Sequence, residues 1–165
     1  MKSAALSRAL VALGALLVLG TVNLGIVSKE HTRREGELVY LPLAPVDPRS
    51  LVQGDYMALR FSLARDIERR DADDKRVERD GDVAFAAVTL DDRRVATLAG
   101  DGAVAPLKLR YRVRDGRVWL GTNAFFFEEG TAERFRAARY GEFRVDRRSG
   151  EAVLVGLRDE RLGPL

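Results

Sequence analysis

The longest pattern along the chain is an apolar run over residues 6–27, in which Arg8 is the single charged side chain. At a helical rise of ~1.5 Å per residue, about 22 residues span roughly 33 Å, which matches the hydrocarbon core of a bilayer. A cleaved signal peptide has a shorter apolar region of ~7–15 residues, followed by small residues at the cleavage site. The run over residues 6–27 is longer than that, and the residues that follow it do not fit a cleavage site. The pattern therefore predicts an uncleaved transmembrane anchor with a short N-terminal tail over residues 1–28.

Short segments with alternating apolar and polar positions follow the apolar run and are typical of β-strands. Asp115-Gly116 between two of them is a strong hairpin signal, and Asp91-Asp92 marks another turn. The pattern predicts a charged linker over residues 29–37, then a mainly β, mostly antiparallel domain over residues 38–165. The predicted strands are 38–43, 56–61, 83–90, 93–98, 107–113, 118–120, 142–145 and 152–157.

One short helix is predicted within the β domain, at residues 131–140. Thr131 is a suitable N-cap, Glu133 lies favourably in the first turn, and Gly141 is a suitable end. The predicted helix would bury a narrow apolar stripe. This stripe consists of Ala132, Phe135 and Ala138.

Residues 65–80 are almost entirely charged. Ile67 and the few other apolar residues are too sparse for a buried helical stripe, so the segment is predicted to be a solvated loop or a frayed helix. Asp71, Asp73 and Asp74 offer carboxylates of the kind that hard cations prefer. They lack the ligand spacing and the central glycine of a calcium loop, and arginines lie among them, so no metal site is assigned.

The most informative stretch is V-D-P-R-S-L-V-Q-G-D-Y-M-A-L-R-F over residues 46–61. Asp47-Pro48 and Gly54-Asp55 predict two turns, and the alternation that follows predicts a half-buried strand. One face of this strand carries Met57, Leu59 and Phe61, and the other carries Tyr56, Ala58 and Arg60.

The Gly54-Asp55-Tyr56 segment is predicted to be a structural corner. Asp55 follows a glycine and precedes a strand, where its side chain is expected to accept hydrogen bonds from local amides. Tyr56 is expected to bury its ring beside the strand and to direct its hydroxyl to a backbone partner.

Gly54-Asp55-Tyr56, followed by Leu59 and an aromatic residue at position 61, resembles the signature of the GDYXXLXY family of bacterial membrane proteins. Phe61 departs from that signature, in which the last aromatic is tyrosine, so no role of a hydroxyl at this position carries over. The resemblance implies a companion of multi-span membrane proteins and supplies no enzymatic activity. It extends to residues 41–43, 45–48, 125–130, 139–142 and 154–157.

Composition narrows the classes of partner. The chain has 28 basic and 25 acidic side chains, and removing Lys2 and Arg8, which precede the domain, leaves 26 against 25. A nearly neutral domain lacks the basic footprint of a nucleic-acid-binding protein, so no nucleic-acid partner is predicted. The chain contains no cysteine, which excludes disulfides and thiolate metal sites.

A basic row is predicted on one face of the strand at 107–113. The solvated face of a strand is the favoured interpretation, and contact with an anion or a lipid headgroup is the alternative. The row consists of Lys108, Arg110, Arg112 and Arg114.

Two carboxylates, Glu128 and Glu129, follow three consecutive phenylalanines. A carboxyl group against aromatic rings would have a raised pKa, which suits a general acid. The favoured interpretation is structural: one glutamate accepts hydrogen bonds from the amides at the start of the helix, and the other is solvated. His31 lies near the anchor, away from any partner for a catalytic triad or a histidine metal site.

Taken together, the sequence favours a non-catalytic, single-pass protein of the bacterial inner membrane with an extracytoplasmic β domain. Its predicted partners are the lipid bilayer and another integral membrane protein, for which it would act as an accessory. The alternative is a membrane-bound hydrolase that uses Asp55 or Glu128 and Glu129. No catalytic, cofactor-binding or metal-binding residue is assigned. The residues singled out as signature or structural are Asp47, Pro48, Gly54, Asp55, Tyr56, Leu59, Phe61, Phe127, Glu128, Glu129, Gly130, Tyr140, Gly141 and Glu142.

Overall fold

A long helix, α1 (Lys2–Glu35), precedes the β domain in the computed structural model, which describes residues 2–44, 52–53, 56–73, 81–100 and 107–165. The large apolar side chains between Leu10 and Val27 are 52–73% exposed. This helix is long and apolar enough to span a membrane. It also includes most of the segment predicted as a linker: residues 29–35 are its last two turns, and the first strand begins at Glu37.

The β domain contains ten strands within the described residues, and their hydrogen-bonded partners are antiparallel. The mainly β, mostly antiparallel fold predicted from the alternating segments is therefore confirmed. The strands are β1 (Glu37–Pro42), β2 (Val52–Gln53), β3 (Tyr56–Ala58), β4 (Val83–Leu90), β5 (Ala96–Leu98), β6 (Leu107–Arg114), β7 (Arg117–Trp119), β8 (Ala124–Phe126), β9 (Tyr140–Val145) and β10 (Ala152–Arg158).

The strands form three small sheets, in the orders β1-β9-β10, β2-β3-β8 and β5-β4-β6-β7. Two isolated bridges connect them. Tyr40 pairs with Val95 and joins the first sheet to the third, and Leu43 pairs with Phe61 and joins the first sheet to the second. The three sheets consequently share one core, to which each contributes buried apolar side chains. Its largest fully buried members are Tyr111, Phe143, Leu41, Leu63, Ile67, Leu109, Leu120, Leu157, Val39, Val88 and Val145.

The predicted hairpins are present. Asp115 and Gly116 both have positive φ, 50° and 68°, as a tight two-residue turn between β6 and β7 requires. Asp91 accepts hydrogen bonds from two amides of the β4–β5 turn, at 2.8 Å each. Asp146 does the same for the β9–β10 turn, and the bond from the Ser149 amide lowers the pKa of its carboxyl.

A helix, α2 (Ser62–Asp73), occupies the first half of the charged segment, so the prediction that Ile67 belongs to no buried stripe is wrong. Leu63 and Ile67 are 1% and 0% exposed, and Asp71 follows them on the same face at the same four-residue spacing. The prediction failed for two reasons. The buried stripe begins at Leu63, before the run of charges that starts at residue 65, and its third member, Asp71, is polar and has a buried partner. Residues 74–80 lie outside the described part of the chain.

The helix predicted at 131–140 is a single 3₁₀ segment, Ala132–Ala137. Thr131 precedes it but makes no side-chain cap. Its hydroxyl donates instead to the main-chain oxygen of Glu128, at 2.7 Å. Ala138 is already extended, so the helix ends at Ala137, four residues before Gly141. The predicted apolar stripe is confirmed at Phe135 and Ala138, which are both buried.

We expect Ile67→Ala to lower the free energy of unfolding by about 2–5 kcal/mol, because the substitution leaves a cavity where α2 packs on the sheets. Urea unfolding of the full chain in detergent micelles, followed by the fluorescence of Trp119 on β7, measures this change. Arg69→Ala is the control on the exposed side of α2, with an expected effect within about 0.5 kcal/mol. Equal effects of the two substitutions would show that α2 does not pack as described.

Candidate functional site

The signature strand follows the predicted alternation. Met57, Leu59 and Phe61 are 2–3% exposed, whereas the side chains between them face solvent. β3 pairs with β2 on one side and β8 on the other, and the amide of Leu59 donates to the main-chain oxygen of Asn123 at 2.7 Å. Four predicted signature residues lie outside the described part of the chain, so the corner assigned to them stays a prediction. They are Asp47, Pro48, Gly54 and Asp55.

Tyr56 is on the solvent side of the strand, and the prediction that its ring is buried is wrong. The alternation that buries Met57 places Tyr56 on the opposite face, where it is 36% exposed. Its ring packs against that of Phe126, the residue directly opposite on β8, with ring centroids 5.9 Å apart. We refer to Tyr56 and Phe126 as the aromatic pair.

Phe61 belongs to the core and packs against Phe143 of β9. Their rings meet edge to face, with centroids 5.3 Å apart. Gly141 permits this contact, because a Cβ at position 141 would lie 2.9 Å from a ring atom of each phenylalanine and 3.2 Å from Leu154. Gly141 is therefore a buried strand residue that leaves space for two rings, and the prediction that it ends a helix is wrong.

The next signature residue, Glu142, is an ion-pair partner inside the first sheet. It is 8% exposed, and one of its carboxylate oxygens accepts hydrogen bonds from the guanidinium of Arg158 on β10. The register of β9 and β10 shifts between Leu154 and Gly156, opposite Glu142. Tyr140 begins β9 and is half-buried. A buried pair of this kind is costly to break by removing one partner, which gives Glu142 a structural role.

The three consecutive phenylalanines divide between core and surface. Phe125 and Phe127 pack against Phe135, with centroids 5.1 and 5.2 Å apart. Phe126 between them is 75% exposed. Two rings thus hold the 3₁₀ segment against β8, while the third lies on the surface beside Tyr56.

Glu128 and Glu129 are both exposed, so neither carboxyl group is buried against the aromatic rings, as a general acid with a raised pKa would be. The chain turns here through its backbone: the main-chain oxygen of Glu128 accepts hydrogen bonds from the amide and the hydroxyl of Thr131, and Gly130 has a φ of 80°. The prediction that one of these glutamates caps the helix through its side chain is wrong, because the backbone of Glu128 makes these bonds.

A groove of about 260 Å³ lies beside the signature strand, and we call it the signature groove. Residues 58–61, the first turns of α2, residues 117–120 and residues 122–123 line it. Its arginines are Arg60, Arg65 and Arg117, and its acidic residue is Glu68. Glu68 accepts a hydrogen bond from the amide of Val118 at 2.9 Å, so this carboxylate holds α2 to β7. Among the described residues that line the groove, Glu68 is thus the single carboxylate, and no pair of carboxylates is present.

A buried polar cluster connects α2 with β6, and the sequence did not indicate it. Tyr111 donates its hydroxyl hydrogen to Asp71 at 2.9 Å, and Arg70 binds the other oxygen of the same carboxylate at 2.7 and 2.9 Å. Asp71, considered above as a cation ligand, is thereby occupied. Asp74 lies outside the described residues, and the described part of the chain contains no cluster of three metal-ligating side chains. The one sequence signal for this cluster is the four-residue spacing of Leu63, Ile67 and Asp71.

We expect Gly141→Ala to lower the free energy of unfolding by about 1–3 kcal/mol, because its Cβ would press on two buried rings. Urea unfolding of the full chain in micelles measures the change. Gly156→Ala is the matched control on the neighbouring strand, since a Cβ there would meet a single atom at 3.8 Å. Phe61→Leu removes one of the ring atoms that would crowd the new Cβ at position 141. The double variant Gly141→Ala/Phe61→Leu should therefore lose less free energy of unfolding than the sum of the losses in the two single variants. Strict additivity would contradict the assigned contact.

Comparison with known proteins agrees with the signature. A family model described as GDYXXLXY protein matches residues 18–157, from within α1 to nearly the end of β10. That description consists of the signature and names no activity. Neither a curated protein nor a solved structure matches the chain. Because the family match covers most of the 165 residues, the chain belongs to the GDYXXLXY family.

Proposed function

We propose that this protein is a single-pass inner-membrane protein whose extracytoplasmic β domain acts, without catalysis, as an accessory partner of another integral membrane protein. The observation that carries the proposal is the aromatic pair of Tyr56 and Phe126 on the surface of a membrane-linked domain. Each residue comes from a different segment that carries the family resemblance.

The anchor part of the proposal is supported by the surface of α1. Its large apolar side chains from Leu10 to Val27 are all exposed, and consecutive ones at residues 16–19 point to every side of the helix. A helix that is hydrophobic all round requires an apolar environment on every side, and a bilayer supplies one. Charged residues follow from Lys29 onward, where such a helix would leave the hydrocarbon core.

The junction between α1 and the β domain is close-packed, which supports a domain held at the membrane surface. Thr32 near the end of α1 is 2% exposed. A Cβ at Gly36 would lie 2.9 Å from the amide nitrogen of Val145 and 3.0 Å from Cβ of Arg144, and Arg144 donates to the main-chain oxygen of Gly36 at 3.2 Å. A domain docked this firmly presents fixed faces to its neighbours in the membrane.

The aromatic pair supports a protein partner. Phe126 is 75% exposed, and Tyr56 extends the same apolar surface. Large aromatic side chains are enriched at the centres of protein interfaces, where their burial contributes much of the binding energy. Because Phe125 and Phe127 are fixed against Phe135, the ring of Phe126 projects from a firmly held strand.

The hydrolase alternative has less support. Glu128 and Glu129 are exposed, and Glu68, the acidic residue of the signature groove, is hydrogen-bonded to the backbone of β7. Asp55 lies outside the described residues. The hydrolase alternative relies on a carboxyl group held in an apolar site or beside a second carboxylate, and none of Glu68, Glu128 and Glu129 is placed in that way.

The membrane anchor predicts the behaviour of substitutions at Leu17. Leu17→Arg places a charge near the middle of the apolar run and should cost roughly 2.5–3.5 kcal/mol of insertion free energy. We expect this variant to be lost from the membrane fraction after alkaline carbonate washing, whereas the unchanged protein and Leu17→Ala remain. Intact mass spectrometry should find α1 retained. A mature N-terminus near Ser28 would instead identify a signal peptide.

The orientation of the domain is tested separately. A reporter that is active only outside the cytoplasm, fused after Leu165, should be active.

The accessory role predicts a specific crosslink from Phe126. A photoreactive amino acid at position 126 should capture an integral membrane protein in native membranes, and Tyr56→Ser should reduce the yield by removing half of the surface. The matched control is the same photoreactive group at Phe85, an aromatic residue that is 53% exposed on another sheet. The same product from both positions, or adducts with lipid alone, would argue against the aromatic pair as the binding surface.

A further inference from the structure

A second cleft, also of about 260 Å³, lies between the end of α1 and the outer face of β6, and we call it the basic cleft. Four cations line it, and three of them come from alternate positions of β6, so their side chains share one face of the strand. Trp119 and a single acidic residue, Glu151, also line the cleft. The four cations are Lys29, Arg110, Arg112 and Arg114.

The position of Lys29 sets the height of the basic cleft relative to the bilayer. The apolar run of α1 ends at Val27, and two residues of helix add only ~3 Å. Lys29 therefore lies at the level of the lipid headgroups when α1 spans a membrane. Its ammonium binds Glu151 at 3.1 Å, so the start of β10, and hence the cleft, lies near that level.

The charges in the basic cleft are unbalanced. Glu151 is shared by Lys29 at 3.1 Å and Arg110 at 3.5 Å, so a single carboxylate serves two cations. The guanidinium of Arg114 lies over the ring of Trp119, 5.1 Å from its centroid. Arg112 is exposed and has no acidic partner within the described part of the chain. Four positive charges against one negative charge leave three in excess, next to the membrane surface.

We propose that the basic cleft binds the phosphate of an anionic glycerophospholipid headgroup from the adjacent leaflet. The arginines donate N–H groups to the phosphate oxygens, and a guanidinium does so through two parallel bonds. Trp119 is suited to the same level, since tryptophan rings are enriched at the membrane–water interface. The inference depends on the membrane anchoring proposed above, which carbonate extraction tests separately.

The location of the cleft favours a lipid over a soluble phosphate compound. One of its four cations belongs to the membrane helix itself, and juxtamembrane basic groups are attracted to anionic lipid surfaces. A lipid anion is confined to the plane in which the cleft lies, which raises its local concentration there. The rest of the domain is nearly neutral, so it adds little attraction for anions in bulk solution.

The test uses Trp119, the one tryptophan of the chain, as a reporter inside the cleft. The full chain in zwitterionic micelles is titrated with short-chain phosphatidylglycerol while Trp119 fluorescence is followed. Short-chain phosphatidylcholine and inorganic phosphate are titrated in parallel. Arg112→Gln is the test variant, because Arg112 pairs with no acid among the described residues. Arg112 lies opposite Trp119 on the neighbouring strand, so each titration is referred to the lipid-free fluorescence of the same variant. Arg161→Gln is the control, an exposed arginine beyond the far end of β10.

We expect phosphatidylglycerol to give a saturable change in Trp119 fluorescence, with an apparent dissociation constant that rises roughly fivefold in Arg112→Gln and is unchanged in Arg161→Gln. Circular dichroism should show both variants folded. An equal response to phosphatidylcholine would overturn recognition of the negative charge. An equal response to inorganic phosphate would overturn a lipid as the ligand. An unchanged dissociation constant in folded Arg112→Gln would overturn the cleft as the site.

Discussion

The edge-to-face contact of Phe61 with Phe143, made possible by the missing side chain of Gly141, holds the signature strand to the centre of the first sheet. The backbone reinforces it, because the amide of Ala44 donates to the main-chain oxygen of Arg60 at 2.7 Å. α2 begins at Ser62, the residue after Phe61, so the contact between Phe61 and Phe143 also sets where this helix starts. The signature groove and the buried cluster of Asp71 both depend on that starting point.

The family segments serve different physical purposes once they are placed in the fold. Leu59, Phe61 and Gly141 pack the core, and Glu142 forms a buried ion pair with Arg158. Tyr56, by contrast, lies on the surface against Phe126. A residue that packs the core contributes to the stability of the domain, whereas a large aromatic ring on the surface still exposes apolar area to water. The proposed accessory role therefore rests on the surface members of the signature.

Much of the fold was predictable because strand alternation and turn chemistry are local properties. The faces of residues 56–61 followed from the spacing of apolar residues, and the Asp115-Gly116 turn followed from the residue types at its two positions. Helix α2 did not, because its buried stripe is completed by the polar Asp71, whose partner Tyr111 is 40 residues away. The role of Gly141 was also missed, since a glycine that leaves room for distant rings resembles one that ends a helix.

The candidate sites were also only partly predictable from local sequence patterns. The sequence showed that Lys108, Arg110, Arg112 and Arg114 alternate along one strand, and it offered both a solvated face and an anion contact as interpretations. The choice between them depends on Lys29, which α1 brings to the same cleft across more than 80 residues of sequence. Tertiary contact of that kind leaves no trace in local spacing.

Because the junction at Gly36 is closely packed, α1 and the β domain are expected to move together. A helix longer than the local hydrocarbon thickness tilts to keep its apolar residues covered. Arg144, Glu151 and the backbone of β9 contact the end of α1 and the residue that follows it. If α1 spans the bilayer as proposed, a change of its tilt would therefore rotate the domain with it. Bilayer thickness would thus set how far the ring of Phe126 stands from the membrane plane, and so which neighbours it can reach.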